Sequence, residues 1–483
     1  MSSPFSDRMS AQERRAGATL AAIFALRMLG LFLILPVFSV FAKTLPGGND
    51  LQWAGLALGA FGMVQAIFQV PFGVASDRFG RKPVIVFGLL MFAAGCALAA
   101  WAPNIGWMIA ARALQGAGAI SAAVSALAAD LTREQHRTKV MAMIGSTIGL
   151  VFAVSLVASP ALYQWIGMHG MFLLTGALSL LAIPVLLRAV PTPPRIETAM
   201  PRVPLRSVLA DSQLAPLHFG VFAIHMIQMG MFLIVPRILV DAEHLPLAEH
   251  WKIYLPVVLA SFMLMVPAII YAERKRQLRR VLLASIVLLA ATQLGFLLAH
   301  DAFWPIVALL FLFFVGFNIV EASLPSLVSR IAPPQAKGAA LGVYNTSQSI
   351  GAALGGAAGG AIAVHFGPHA VFAATTLLAV IWWLWARTMR NPPQLTEREI
   401  AIDPHIEIAS FRRELLALPG VREAIVVPER RMAYLKVNPE RWDEASLRRL
   451  TGCQGVINSV QIDAAPDNLF CPKSTKDDLF CQQ

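Results

Sequence analysis

The strongest constraint on this chain is a series of twelve apolar runs, each close to the ~20 residues an α-helix needs to cross a bilayer. The first six cover residues 18–41, 53–72, 83–101, 105–129, 140–163 and 168–187. The second six cover 214–240, 251–272, 281–299, 303–328, 338–364 and 370–385. A soluble core has no use for so much apolar sequence. Of the residues, 57% are hydrophobic and 14% are charged, against about 25% charged in a soluble domain. The pattern predicts an all-α polytopic membrane protein built as six helices plus six, followed by a small soluble unit.

The loops sort by charge. Loops on one side carry Arg78, Arg81 and Lys82; Arg133, Arg137 and Lys139; Arg274, Lys275, Arg276, Arg279 and Arg280; and Arg330 and Lys337. The opposite loops carry only Lys43, Arg237 and Lys252 among several acids. By the positive-inside rule, the basic side and both termini of this multi-pass membrane protein are expected to face the cytoplasm. The excess of 39 Lys and Arg over 28 Asp and Glu therefore sets orientation, and nucleic-acid binding is not expected. The first run, with no cleavage site after it, is expected to direct insertion.

The chain divides into a cytoplasmic N-terminus (1–17), a first bundle (18–188), a central loop (189–213), a second bundle (214–390), a soluble unit (391–463) and a tail (464–483). The central loop carries Pro191, Pro193, Pro194, Pro201 and Pro204 among arginines, with a short surface helix expected near 207–211. In the soluble unit, strands are expected at 397–402, 421–427, 432–437 and 455–462, and helices at 406–418 and 443–450. Pro419-Gly420 marks a helix end. That β-α-β-β-α-β order is ferredoxin-like. Cys96 reads as a small buried residue. Cys453, Cys471 and Cys481 lack zinc-ligand spacing.

The loop between the second and third runs reads Gly73-x3-Asp77-Arg78-x-Gly80-Arg81-Lys82-Pro83. It closely resembles motif A of the major facilitator superfamily, and Arg112-Ala-Leu-Gln115-Gly116-Ala-Gly118 resembles that family's motif B. With its soluble unit, the chain resembles the YajR group of bacterial inner-membrane transporters, whose appended ferredoxin-like unit is called the YAM domain. Supporting segments are Leu26-Arg27-Met28-Leu29-Gly30, the turn Leu418-Pro419-Gly420-Val421 and Glu423-Ala-Ile-Val-Val427. The resemblance implies a twelve-helix transporter fold and proton-driven efflux of small molecules by alternating access.

It also implies roles for single residues. Gly73 and Gly80 would allow a tight turn and close approach. Asp77 would face the start of the eleventh helix in the outward-facing state, and Arg81 would pair with Asp130, forming with Arg78 a cytoplasmic latch. The second-half counterpart, Glu273-Arg274-Lys275-Arg276, keeps charge and loses glycine, so the latch is expected in one half only. Helix five has Ser159-Pro160, Tyr163 and Gln164 where antiporters often carry a glycine-rich motif C, a departure from the antiporter pattern.

Charges inside membrane helices are costly and point to function. Candidates for proton coupling are Glu321, Arg112, Arg27 and His225; a desolvated Glu321 would bind and release a proton near neutral pH. Snorkelling at a helix end is the alternative for Arg27 and Arg112. Gln65, Gln69, Asn318, Asn345 and Gln348 are candidates to line a cavity or to hydrogen-bond between helices. The glycines Gly351, Gly355, Gly356, Gly359 and Gly360 permit close packing of the eleventh helix. No catalytic triad, phosphate-binding loop or metal cluster is visible, so an enzyme, a cofactor and ATP drive are not expected. The partners implied are membrane lipid, protons and a small hydrophobic or amphipathic substrate. The YAM-like unit would bind a ligand or mediate self-association. The competing reading is a membrane sensor or scaffold acting through that unit.

Overall fold

The computed structural model describes residues 9–132, 134–192, 205–241, 243–298, 302–333, 336–391, 396–401, 408–427, 432–438, 441–443 and 446–447. Two compact units divide at residue 393. Residues 193–204 of the central loop, the strand expected at 455–462, the tail and the last three cysteines lie outside the described residues.

The first unit is helical. Its N-terminal bundle comprises α1 (Ala11–Phe32), α2 (Leu35–Ala42), α3 (Leu51–Phe79), α4 (Arg81–Ala100), α5 (Ile105–Ala117), α6 (Ser121–Asp130) and α7 (Glu134–Ala189). After a surface turn of helix, α8 (Leu205–Leu209), the second bundle comprises α9 (Ala215–Asp241), α10 (Trp251–Arg274), α11 (Leu278–Leu298), α12 (Phe303–Ile331), α13 (Lys337–Phe366) and α14 (Pro368–Ala386). Ten helices among the described residues are long and apolar enough to cross a membrane. They account for eleven of the twelve runs, because Met143–Ala189 is 47 residues long, about twice a bilayer span, and turns back at Gly167 (φ 65°). The remaining run is the pair α5/α6, broken at Gly118–Ile120.

The first helix starts earlier than hydropathy suggests. Ser10 and Glu13 form a reciprocal capping box: the Glu13 amide donates to Ser10 Oγ and the Ser10 amide to the Glu13 carboxylate, which satisfies two amides the helix start would leave bare. The helix is interrupted between α1 and α2, just before Pro36 at the second's first turn. Large apolar side chains face outward, among them Met263 (73% exposed) and Ile67 (61%), as a lipid-facing surface requires. The interior combines small residues with large apolar ones such as Trp382, Phe92 and Phe313, and includes the buried polar side chains described below.

The loops show the two-fold plan. The two short turns at the end remote from the basic loops sit at Gly167 and Gly367, both at positive φ with ψ near extended, a region essentially reserved for glycine. At the basic end, Gly80 makes the turn between α3 and α4 with φ 97°. Four residues after Asp77 comes Arg81; four after Glu273 comes Gln277. In that alignment Arg276 occupies the place of Gly80 and also takes positive φ (56°). The turn is thus retained in the second half without its glycine.

One seam dominates the packing. Gly55, Gly59 and Gly62 of α3 lie against the backbone of Gly356, Ala353 and Ser349 of α13; a Cβ on Gly62 would come within 2.7 Å of the Ser349 carbonyl. Gly351 and Gly355, on another side of α13, meet the backbone of Phe222 and Met226 in α9. Helix α13 is therefore held backbone-to-backbone by its own bundle and by the opposite one. This close approach covers the half remote from the basic loops, called the distal half below. Toward the basic end, a Cβ on Gly338 or Gly342 of α13, or on Gly145 or Gly149 of α7, would meet nothing within 4 Å.

The second unit contains β1 (Thr396–Ala401), α15 (Ile408–Ala417), β2 (Val421–Val427) and β3 (Met432–Val437) in a sheet of order β1-β3-β2. Both pairings are antiparallel. This is the strand arrangement of a split β-α-β, the first part of the ferredoxin-like order. Ala433, Leu435 and Val437 alternate inward and pack with Ile400, Phe411 and Leu415. Gly420 takes φ 85° where a side chain would collide with the backbone of Arg441.

The seam gives a direct expectation. Gly59→Ala and Gly356→Ala should each destabilise the detergent-solubilised chain by about 1–3 kcal/mol through overpacking. Gly342→Ala should be neutral or stabilising by up to ~1 kcal/mol through helix propensity. Thermal unfolding of the three variants distinguishes them.

Candidate functional site

The motif loop is built around one guanidinium. Gly80 ends α3 and lets α4 begin at once with Arg81. Arg81 Nη1 pairs with Asp77 of the preceding turn and donates to Ser76 Oγ at 2.7 Å. Its Nε donates to Asp130 Oδ2 at 3.0 Å. Arg81 thus joins the end of α3, the start of α4 and the last residue of α6. Lys82 bonds the Val190 carbonyl beyond the end of α7. Gly80 supplies the turn. Gly73 is not at a close approach, since its Cβ would sit 3.6 Å from Ala122, an ordinary contact.

The second half, which keeps its charges without the glycines, also carries an ion pair at the matching place. Arg330 Nη2 bridges both oxygens of Glu273 at 2.6 and 2.8 Å. The polarity is reversed. In the first half the loop gives the arginine and the end of the fourth span gives the acid. In the second half the loop gives the acid and the end of the tenth span gives the arginine. The turn forms there without the glycines, with Arg276 at positive φ.

Two buried arginines occupy the first bundle. Arg27 is 1% exposed and Arg112 fully buried, so neither snorkels. Arg27 donates to the Gly118 carbonyl (3.0 Å), Ser121 Oγ (3.2 Å) and Gln65 Oε1 (2.8 Å). The break between α5 and α6 makes the Gly118 carbonyl available to it. Arg112 Nη1 donates to Gln115 Oε1 at 2.6 Å, and Gln115 in turn reaches Cys96 Sγ. Both guanidinium carbons lie over the Phe61 ring, at 5.6 and 4.9 Å from its centroid, within cation–π range.

Gln65 carries the polar chain across the bundles. Its Oε1 accepts from Arg27, which fixes its Nε2 as the donor to Ser349 Oγ at 3.0 Å. Ser349 then donates to the Asn345 carbonyl. Sequence reading missed Ser349 and Phe61. A serine four residues after Asn345 on a glycine-rich helix was the available signal.

The second bundle brings His225, Gln348 and Glu321 together from α9, α13 and α12. His225 Nδ1 lies 2.9 Å from the Val221 carbonyl and must donate to it. Its Nε2, 2.7 Å from Gln348 Nε2, accepts from that amide. The two ring nitrogens thus face a carbonyl of its own helix and an amide of α13. Glu321 Oε2 stands 4.0 Å from the same Nε2 and is buried without a hydrogen-bond partner. The Glu321 side chain as a whole is 31% exposed, more open than the desolvated carboxyl the sequence suggested. The Phe317 ring flanks His225, and Phe152 of the opposite bundle packs on Phe317.

Other candidates lie elsewhere. Asn318 donates to Ser261 of α10 and serves helix packing. Gln69 is buried, with Oε1 unbonded. Ser159 bonds the Leu33 carbonyl between α1 and α2. Among the described residues no group of three metal-binding side chains occurs.

The Major Facilitator Superfamily profile matches residues 20–355 and 275–442. The inner membrane transport protein YajR of Escherichia coli (strain K12) is 41% identical over 436 residues, covering 89% of this chain and 96% of that protein. The multidrug resistance protein MdtH of Aeromonas hydrophila is 27% identical, covering 73% of this chain and 89% of its own. A bacterial homologue of the human lysosomal transporter Spinster, solved in an inward-facing and occupied conformation, superposes with a TM-score of 0.62 at 14% identity, over 78% of this chain and 97% of that one. The fold, the profile and the 41% relative agree: this chain belongs to the major facilitator superfamily of membrane transporters.

Proposed function

We propose that the protein is a proton-coupled secondary transporter of the bacterial inner membrane that exports small hydrophobic or amphipathic molecules by alternating access. The observation that carries this reading is the trio His225, Gln348 and Glu321. A proton arriving at His225 Nε2 turns an acceptor into a donor. It would then repel the Gln348 amide 2.7 Å away and draw in the Glu321 carboxylate 4.0 Å away. Gln348 sits on α13, one residue from Ser349, the α13 end of the bridge to the first bundle. Protonation would therefore act on the helix that forms the seam. Arg27 and Arg112 are proposed to hold positive charge at the facing end of that bridge.

The motif loop is proposed to act as a latch. In the arrangement described here, Arg81 ties Asp77 to Asp130, Gly338 and Gly342 of α13 face open space toward the basic end, and the glycines of its distal half meet backbone. That combination corresponds to an inward-facing state if the basic end is cytoplasmic, as the loop charges suggest. In the opposite state the first amides of α13 would approach Asp77, where a carboxylate is favoured by the helix dipole. The names of the relatives, an inner membrane transport protein and a multidrug resistance protein, support transport and efflux. Both termini and the second unit are assigned to the cytoplasmic side. The second unit is assigned a YAM-like regulatory or self-association role.

Proteoliposomes with an imposed pH gradient test this. Adding a transported lipophilic compound should dissipate the gradient faster than the empty-liposome rate. Glu321→Gln should remove that coupled proton movement. If no compound in a broad panel moves protons, or Glu321→Gln retains full coupling, the proton-coupled reading fails. Asp77→Asn should slow turnover by about tenfold or more, equivalent to ~1.4 kcal/mol on the conformational barrier, while leaving substrate affinity close to the parent's. Truncation before Asn391 should alter the transport rate or the oligomeric state by light scattering; no change in either removes the assigned role of the second unit.

A further inference from the structure

The distal end contains a clasp between the bundles that the motif loop does not explain. Arg237, in the last turn and a half of α9, is 8% exposed. Its guanidinium reaches into the other bundle, where Nε donates to the Ser39 carbonyl at 2.8 Å, Nη1 to the Asn49 carbonyl at 3.3 Å and Nη2 to the Gly48 carbonyl at 3.4 Å. Ser39 lies in the last turn of α2, where helical carbonyls lack internal donors and the helix dipole favours a cation. Four residues after Arg237, Asp241 pairs with Lys43, the residue that caps α2. One end of α9 therefore presents a cation and an anion to an end of α2 that presents carbonyls and a cation.

The acceptors are fixed by the turn that carries them. Gly47 has φ 82°, and a Cβ on Gly48 would run into the Ala42 carbonyl. A side chain at 47 or 48 does not fit that turn unchanged, and the turn brings the carbonyls of Gly48 and Asn49 to Arg237. Asp50 beyond them caps α3 through the Gln52 amide, which locks the same loop onto the helix of the glycine seam.

We propose that Arg237, with the Lys43–Asp241 pair beside it, is the positioning element that holds the distal side shut, and that each transport cycle must release it. Five donors in a planar fork suit three carbonyls from two elements; a lysine at this position would satisfy fewer of them. The proposal rests on alternating access but not on proton coupling, so loss of the Glu321→Gln effect would leave it standing.

The test uses the full chain in membranes, with its cysteines replaced and single reporters added. Ser39→Cys places a thiol in the clasp, where the native side chain is fully buried. Gly342→Cys places one in open space near the basic end. Alkylation by a maleimide is timed for each. Arg237→Gln should accelerate labelling at Ser39→Cys by about tenfold, as a shift of two-state populations requires, and should slow labelling at Gly342→Cys. Arg237→Lys should restore only part of the difference. Lys43→Asp and Asp241→Lys should each act in the same direction more weakly, and the exchanged pair should return toward the parent rate. Unchanged labelling at Ser39→Cys overturns the proposal. Faster labelling at both reporters also overturns it, since general loosening would account for that. An exchanged pair that behaves as the sum of its single variants removes Lys43 and Asp241 from the clasp.

Discussion

Everything in the membrane unit depends on how closely α13 approaches α3. Glycines on both helices let backbone meet backbone, and in a lipid environment such packing supplies much of the attraction that apolar burial supplies in water. The same helix meets α9 of its own bundle through other glycines. A helix gripped on two sides by its backbone moves as part of its bundle or not at all. That constraint turns a change beside one residue of α13 into relative motion of the two bundles.

Polar groups are placed around this seam so that few act alone. Arg27 reaches α13 through Gln65 and Ser349. His225 reaches it through Gln348. The two chains enter α13 at adjacent residues from opposite bundles. At the basic end, Arg81 and Arg330 fasten the ends of equivalent helices with opposite polarity, which keeps the fastening while changing which element carries the charge. At the distal end, Arg237 satisfies carbonyls that a helix end would leave bare.

Much of this was legible in the chain. Hydropathy located eleven spans, with α1 starting at Ala11 before its run and α3 continuing to Phe79 past its run, and the twelfth as the broken pair α5/α6; strands 421–427 and 432–437 fall where alternation placed them. The Arg81–Asp130 bond and the meeting of Gln348 and His225 with Glu321 involve residues already singled out, because charge and amide groups inside apolar runs have few explanations. What was not legible depends on partners far apart in sequence. Ser349 is an ordinary serine until Gln65 faces it across 284 positions. Arg237 read as a loop charge because only the fold brings α2 to the end of α9. The paired turn at Arg276 was obscured because a non-glycine residue adopts a backbone that sequence reasoning reserves for glycine. The partner of Asn318 is likewise remote in sequence, Ser261 of α10.

The central claim is that protonation near His225 and Glu321 moves the bundles about the α13 seam in opposite senses at the two ends. Pulsed electron–electron spin distances measure this directly in the full chain. One pair of labels would report the distal end, at the exposed Trp53 and Phe366, and one the basic end, at the exposed Phe79 and Tyr271. Between alkaline and acidic conditions the two distance distributions should shift reciprocally, one widening as the other narrows, and Glu321→Gln should suppress the response. Distances that ignore pH, or that widen together at both ends, would contradict the account.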